Sequence, residues 1–323
     1  MNNLEDWNNL DYLTLVEKLN KIHSSHKMNK LDKFLFWFLS ASSKFIKSDE
    51  LYVKMQFYLS MHKKLNLNPP QTFNEKLQWL KLHDRHESYT QLVDKYEVKK
   101  VVEKLLGKEF IIPTIGIYNN FDEIDANSLP DKFVIKCTHN SGNVCICKDK
   151  KTFDWNVARK KITKSLKHNF FWTSREYPYK NVKPRIIIEE NINDSDTKSI
   201  NDYKFFCFNG EPKMLLIASN REVDVKFDLF DMEFNHCPFK KTYDNLATTP
   251  LQKPALFEEL KEVAAKLSKG FPHVRIDLYQ VGNKIYFGEY TFFDNAGYEG
   301  FVPEKWDTII GDWIDLSKCQ STK

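Results

Sequence analysis

The chain has 323 residues, 41% of them hydrophobic and 28% charged, with 48 basic against 44 acidic side chains for a net charge of +4. This composition excludes intrinsically disordered and fibrous classes and supplies enough chain for a buried core in one large or two smaller domains. The small basic excess, without a basic cluster, argues against nucleic acid as a partner and leaves small anionic molecules open.

The acidic N-terminus lacks the basic-then-apolar order of a signal peptide. Residues 1–70 read as a helical N-terminal segment without strand patterns. Within it, 26–47 combines Lys27, Lys30, Lys33, Lys44 and Lys47 with Phe34, Leu35, Phe36, Trp37 and Phe38. A basic, aromatic helix of this kind can lie on a membrane surface, but apolar stretches of this length are more often buried, and burial against neighbouring helices is the expectation. The longest apolar run, 34–41, is about half of the roughly 20 residues a spanning helix needs. After Pro69 and Pro70, Thr72 and Glu75 form a capping box that starts a helix near Phe73. Residues 89–106 read as one further helix ending at Gly107.

From Phe133 the pattern changes to strands. Residues 133–136 and 144–147 flank the polar loop 139–143 as a hairpin, residues 153–167 read as a helix, and 185–189 as a short strand. Asn209-Gly210 between 203–208 and 213–218 is the clearest hairpin signal, since Asn-Gly suits a primed two-residue turn. A strand at 225–230, a helix at 255–269 and a final hairpin of 274–279 with 285–290 complete the pattern, which implies α+β architecture with largely antiparallel sheets. The six cysteines form neither a CxxC pair nor an even framework, which argues against zinc and disulfides and for a reducing cytoplasm.

Two places carry chemistry. The loop 139–143 holds Gly142, and successive backbone amides in such a turn form an anion nest beside Lys136; a structural turn is the plainer reading. In 274–279 the odd positions are polar, so Arg275, Asp277 and Tyr279 share one strand face. With a three-residue loop 281–283, Gln280 pairs with Lys284, Arg275 lies opposite Glu289, and Asp277 sits diagonally from it. A two-residue loop would turn Glu289 to the other face. Two carboxylates on rigid strands suit Mg²⁺ shared with phosphate oxygens, and a solvated salt-bridge ladder is the alternative.

Together, PQTFNEKL at 70–77, DKYEVK at 94–99, LPDKFVIKCTH at 129–139, DYKFFCFNG at 202–210, VRIDLY at 274–279 and YFGEYTF at 286–292 resemble the TupA-like ATP-grasp family of bacterial surface-polysaccharide gene sets. The resemblance implies an ATP-grasp fold over 71–323, with two antiparallel-sheet lobes around a nucleotide cleft: a small nucleotide lobe at about 108–190 and a C-terminal catalytic lobe at about 191–316. It implies ATP and Mg²⁺ as cofactors. Lys99 and Lys136 would be the phosphate-binding cations, Ser141, Gly142 and Asn143 the loop over the phosphates, and Glu189, Glu190 and Ile192 the hinge strand that meets adenine. Asp202 would bind ribose. Asp277 and Glu289 match the metal carboxylates, with Arg275 beside them, and Thr291 stands where many relatives carry a ligating Asn. Lys204 would reach the γ-phosphate or the acceptor carboxylate, and His139 would act as base or order its loop.

The implied reaction is ATP-dependent carboxylate–amine ligation through an acyl phosphate, on a sugar acid or amino-acid substituent of a glycan precursor, with a carboxylate substrate and an amine as partners. The implied location is the cytoplasm, at or near the inner face of the membrane. Two alternatives stand beside it. One is a sugar-nucleotide glycosyltransferase, for which Asp194-Ser195-Asp196 has the letters of a DxD site without a preceding apolar strand. The other is a nucleotide-binding module without chemistry. Arg221, Lys226 and Asp228 are candidates for an anionic-sugar pocket.

Overall fold

The computed structural model describes residues 11–21, 29–193, 200–221, 223–242 and 244–319. The Asp194-Ser195-Asp196 motif and residues 26–28 lie outside these. Among the described residues the chain opens with helices α1 (Tyr12–Lys21), α2 (Lys30–Ala41) and α3 (Asp49–Met61). The Asn29 and Ser48 side chains cap α2 and α3 by accepting from backbone amides three residues on. Helix α4 (Phe73–His83) starts at the Thr72–Glu75 capping box that the sequence predicts. Its first turn is held to the C-terminus, because the Asp307 carboxylate accepts from both the backbone and the side-chain amide of Asn74.

The expected single helix over 89–106 is two, α5 (Ser88–Val93) and α6 (Glu97–Leu106). Asp94 breaks it: its carboxylate accepts from the amides of Tyr96 and Glu97, as a capping residue does, and also takes Arg185 at 2.8 Å. Lys95 in the break donates its amide to the Thr138 carbonyl. The restart is tied in this way to the end of a strand.

Strands β1 (Thr114–Tyr118), β2 (Phe133–Cys137), β3 (Cys145–Cys147) and, after helices α7 (Trp155–Leu166) and α8 (Phe171–Ser174), β4 (Ile186–Glu190) form an antiparallel sheet in the order β1-β4-β2-β3. Phe133, Ile135, Ile186 and Ile188 pack on Ala158 and Ile162 of α7. Strand alternation then directs Val134, Lys136 and Glu189 to the other face.

The second sheet contains β5 (Asp202–Phe208), β6 (Glu211–Ser219) and β7 (Lys226–Phe230). Beyond the short β8 (Lys240–Lys241) and helix α9 (Phe257–Ser268) it continues with β9 (His273–Val281) and β10 (Lys284–Thr291), in the antiparallel order β10-β9-β5-β6-β7. β11 (Phe301–Val302) pairs with β8, and α10 (Lys305–Gly311) packs on α4. Asn209 and Gly210 take positive φ of 52° and 87° in the primed turn between β5 and β6. The fold of the described residues is thus α+β, with two larger antiparallel sheets and a two-stranded one, preceded by helices.

Two further expectations fail here. The last hairpin has a two-residue turn, since Val281 pairs with Lys284, so Gln280 does not pair with Lys284 and Arg275 does not face Glu289. Helix α2 is not buried: only Leu39 is enclosed, while Leu31, Phe34, Leu35, Trp37 and Phe38 are exposed. The apolar content of α2 exceeds what its one contact face, on α3 and α8, can cover.

His273 opens β9 inside an aromatic cage, with its ring centroid 5.1 Å from Phe73 and 4.8 Å from Phe208. Nδ1 lies 3.0 Å from the Cys207 carbonyl and donates to it, while Nε2 is buried without a partner. Burial pushes the imidazole down to about 4 from its ordinary 6.5. The unfolded chain therefore binds a proton below 6.5 that the folded one refuses until about 4. Stability will fall with pH across that window, by up to about 1.4 kcal/mol per unit. Urea unfolding between pH 7 and 4 checks this, and His273→Gln will flatten the slope.

Candidate active site

A cavity of about 770 Å³ lies between the two sheets, and Lys95, Lys136, Ser141, Gly142, Lys204 and Glu289 are among its lining residues. Its acidic group is set by register. Strand β5 pairs Lys204 with Asp277, and β9 pairs Asp277 with Glu289, so the three form one row across three strands. An even two-residue turn would put Glu289 on the opposite face. A bulge between Phe287 and Glu289 restores it. The extra residue is Gly288, where an added Cβ would stand 2.9 Å from the Asp277 carbonyl oxygen, closer than real Cβ atoms come.

Charges alternate along the row. Lys204 Nζ sits 2.5 Å from Asp277 and 2.7 Å from Asp202, and Arg275 donates to both oxygens of Asp277 at 2.7 and 2.8 Å. Burial opposes the Lys204 charge, but Asp277 and Asp202 outweigh it and raise its pKa. Burial would likewise raise Glu289, yet Lys95, Lys204 and Arg275 prevail and bring it down to about 2. Glu289 is held loosely, with Lys95 at 3.4 Å and Arg275 at 3.7 Å. Asp202 accepts from Lys204 and from Arg221 at 2.9 Å, while its Oδ1 is buried with no partner.

The predicted cations part company. Lys136 lines the cavity and pairs with Glu189 at 2.5 Å. Lys99 does not reach the cavity: its ammonium is engaged by Glu189 at 2.5 Å and by the Ile112 carbonyl and Thr114 hydroxyl, both at 2.7 Å. Burial lowers its pKa. Lys95, four residues earlier, faces the cavity instead, donating to the Asn140 carbonyl at 2.9 Å. The signal for it was the Asp94-x-x-Glu97 cap pattern, which restarts the helix and turns Lys95 outward from the break.

Glu189, expected to serve through its main chain, also has a buried side chain that neutralises Lys99 and Lys136; burial works against its charge, but the two lysines keep its pKa low. With Glu190 and Ile192 it lines a second cavity of about 300 Å³, whose apolar walls include Val134, Ile146 and Ile200. The two cavities adjoin through Lys136, Val144, Arg221 and Tyr279.

His139 lies outside both linings. It is buried and its Nε2 donates to the His168 carbonyl at 3.1 Å, so of its two expected roles the contacts serve loop ordering. Ser141 and Gly142 line the main cavity, whereas Asn143 turns toward Ser165. Thr291 accepts from Arg275 at 3.1 Å. The expected trio Arg221, Lys226 and Asp228 does not assemble: Lys226 pairs with Asp224, and Asp228 is buried against Tyr12 and Ala247.

The far end of the cavity was not read from the sequence. Lys241 there holds Asp294 at 2.6 Å and Glu299 at 2.8 Å, and Arg275 also pairs with Asp294. Burial would raise the Asp294 pKa, but the two cations carry it well below the usual carboxylate range. Asn295 and Ala296 follow with positive φ of 42° and 53°, a conformation fixed by Lys81 and Gln78 donating to the carbonyls of Ala296 and Gly297.

Among the described residues no group of three or more His, Cys, Asp or Glu forms a metal cage. Glu289, ionised and loosely held, with one unengaged lone pair on Asp277 Oδ1, instead fits a cation that takes its remaining ligands from a bound phosphate. Replacing Asp294 by Ala will leave Lys241 with Glu299 and Arg275 with Asp277 as remaining partners and cost about 1–3 kcal/mol, measured by urea unfolding.

Solved structures with a related fold include the D-alanine–D-alanine ligase of Helicobacter pylori, at 15% identity and TM-score 0.38 over 79% of this chain and 71% of that one. The D-alanine–D-alanine ligase of Bacillus anthracis complexed with ATP has 12% identity and TM-score 0.34, over 76% of this chain and 63% of that one. The ATP-grasp ligase PsnB, complexed with a phosphomimetic variant of its minimal precursor, Mg and ADP, has 8% identity and TM-score 0.41 over 90% and 71%. No curated protein matches the sequence. The family described as TupA-like ATPgrasp matches residues 75–315, well over half of the chain, and the chain therefore belongs to the TupA-like ATP-grasp family.

Proposed function

We propose that the protein joins a carboxylate to an amine at the expense of ATP, through an acyl phosphate. The observation that carries this reading is the row Glu289–Asp277–Lys204, whose two ends, Glu289 and Lys204, line one cavity with Lys95 and Lys136. Adenine would occupy the smaller apolar cavity beside Glu190 and Ile192, with the small lobe at about 108–190 closing on the lobe at about 191–316. The unpartnered Oδ1 of Asp202 offers an acceptor for a ribose hydroxyl. Lys95, Lys136 and the amides around Ser141 and Gly142 would cradle the phosphates.

Asp277 and Glu289 would hold Mg²⁺, which when bound neutralises phosphate charge. Thr291 is less suited as a further ligand, because its hydroxyl already accepts from Arg275. One carboxylate oxygen of the acid attacks the γ-phosphorus, the bond from phosphorus to the ADP oxygen breaks, and an acyl phosphate forms. A neutral amine then attacks the acyl carbon, phosphate leaves, and the amine's extra proton passes to solvent or to a departing oxygen. Lys204 and Arg275 oppose the negative charge that collects at the transferring group, and the chain itself forms no covalent bond.

The acid is, on the family resemblance, a sugar acid or amino-acid substituent of a bacterial surface-polysaccharide precursor such as capsule, and the reaction is cytoplasmic. Purified protein with ATP, Mg²⁺ and a panel of uronic acids and amines will release ADP only when both acid and amine are present. Consumption of a nucleotide sugar without ATP, or nucleotide binding without turnover, would overturn the ligase reading. Glu289→Gln will lower turnover by about 10²–10³-fold with the fold intact. Lys95→Met will lower kcat/KM for ATP by about 100-fold, whereas Lys99→Met will act through the Glu189 pairing and change thermal stability more than turnover.

A further inference from the structure

The sheets and their cavities leave one large feature unused, on the helices that precede them. Leu31, Phe34, Leu35 and Phe38 recur on α2 at the i, i+3, i+4, i+7 spacing of one helix face. That face points outward: Leu31 is 63%, Phe34 57% and Phe38 58% exposed, with Trp37 at its edge 64% exposed. Phe45, in the short turn after the helix, is 86% exposed.

This surface is built rather than frayed. Leu39 on the opposite side of α2 is buried. The fully buried Arg175 donates to the carbonyls of Ser43 at 2.7 Å and Ile46 at 2.9 Å and pairs with Asp49 at 3.0 Å, which fixes the turn that presents Phe45. The exposed charges along residues 30–47 have one sign. Lys30, Lys33, Lys44 and Lys47 are exposed, and the single acid between residues 30 and 47, Asp32, lies half-buried beside His62 at 3.6 Å.

We propose that the outer face of α2, together with Phe45, docks on an anionic lipid bilayer. Aromatic and leucine side chains that enter the headgroup boundary, flanked by lysines that meet anionic headgroups, are the chemistry of an interfacial helix. Charge selects this occupant over a second copy of the chain, because a two-fold contact would place the same lysines of both copies against one another. No helix among the described residues is long and apolar enough to cross a membrane, so the contact is peripheral. The inference is independent of the ligase reading.

Co-sedimentation of the full chain with phosphatidylcholine vesicles, with and without phosphatidylglycerol, tests it. Binding will favour the anionic vesicles by about tenfold and weaken as salt is added. Phe34→Asp with Trp37→Asp will reduce that binding by about tenfold, with an unchanged circular dichroism spectrum and unfolding midpoint. Replacing Lys30, Lys33, Lys44 and Lys47 by Gln will abolish the preference for phosphatidylglycerol. Failure of the unaltered chain to bind either vesicle, equal binding by the Asp double variant, or a dimer in solution that the double variant dissociates would each overturn the proposal.

Discussion

One inserted residue decides whether this fold has an acidic centre. Side chains alternate along a strand, so a two-residue turn after Val281 would send Glu289 to the face away from Asp277 and Lys204. The bulge at Gly288 shifts the count by one, and only a residue without Cβ lets β10 pass that close to the Asp277 carbonyl. Four charged groups are then gathered where water is scarce, which is tolerable only if each has an opposite neighbour. The arrangement meets that condition: Asp277 lies between Lys204 and Arg275, Lys204 between two carboxylates, and Glu289 among cations it touches only loosely.

The small sheet supplies the complementary half. Glu189 binds Lys99 and Lys136 together, so one carboxylate answers two ammonium groups and the sheet presents a residual positive charge. Lys95 adds a cation from the break between two helices, anchored through its amide to the end of β2. Each half taken alone is a salt-bridged sheet surface. The cavity lies in the gap between them, with Lys95 and Lys136 on one side and Lys204 and Glu289 on the other.

Local grammar made much of this legible. Thr72 with Glu75, Asn209 with Gly210 and the alternation of 274–279 are short-range patterns, each sufficient for its own element, and the six shared stretches identified the family. What escaped depends on parity or on partners distant in sequence. A bulge has the same local composition as a regular strand, so the sequence points to the face of Glu289 but not to its register opposite Asp277. Lys95 and Lys99 are four residues apart, and their different surroundings depend on Asp94 restarting the helix between them and on Ile112, Thr114 and Glu189, which engage Lys99. Helix α2 was expected to be buried because hydrophobicity reports a need for cover without reporting whether the fold provides it. The cluster of Lys241, Asp294 and Glu299 joins a two-residue strand to a loop more than fifty positions away, which no spacing rule addresses.

The family match begins at residue 75, yet the architecture begins earlier. Gln56 of α3 accepts from the Tyr298 hydroxyl at 2.9 Å and donates to the Thr173 carbonyl at 2.7 Å, and Tyr52 donates to the same carbonyl at 3.0 Å. Tyr298 borders the main cavity. Trimming the gene to the border of the family match would therefore strip a brace from one wall of the cavity, so the edge of the family match and the edge of the architecture fall at different points along this polypeptide.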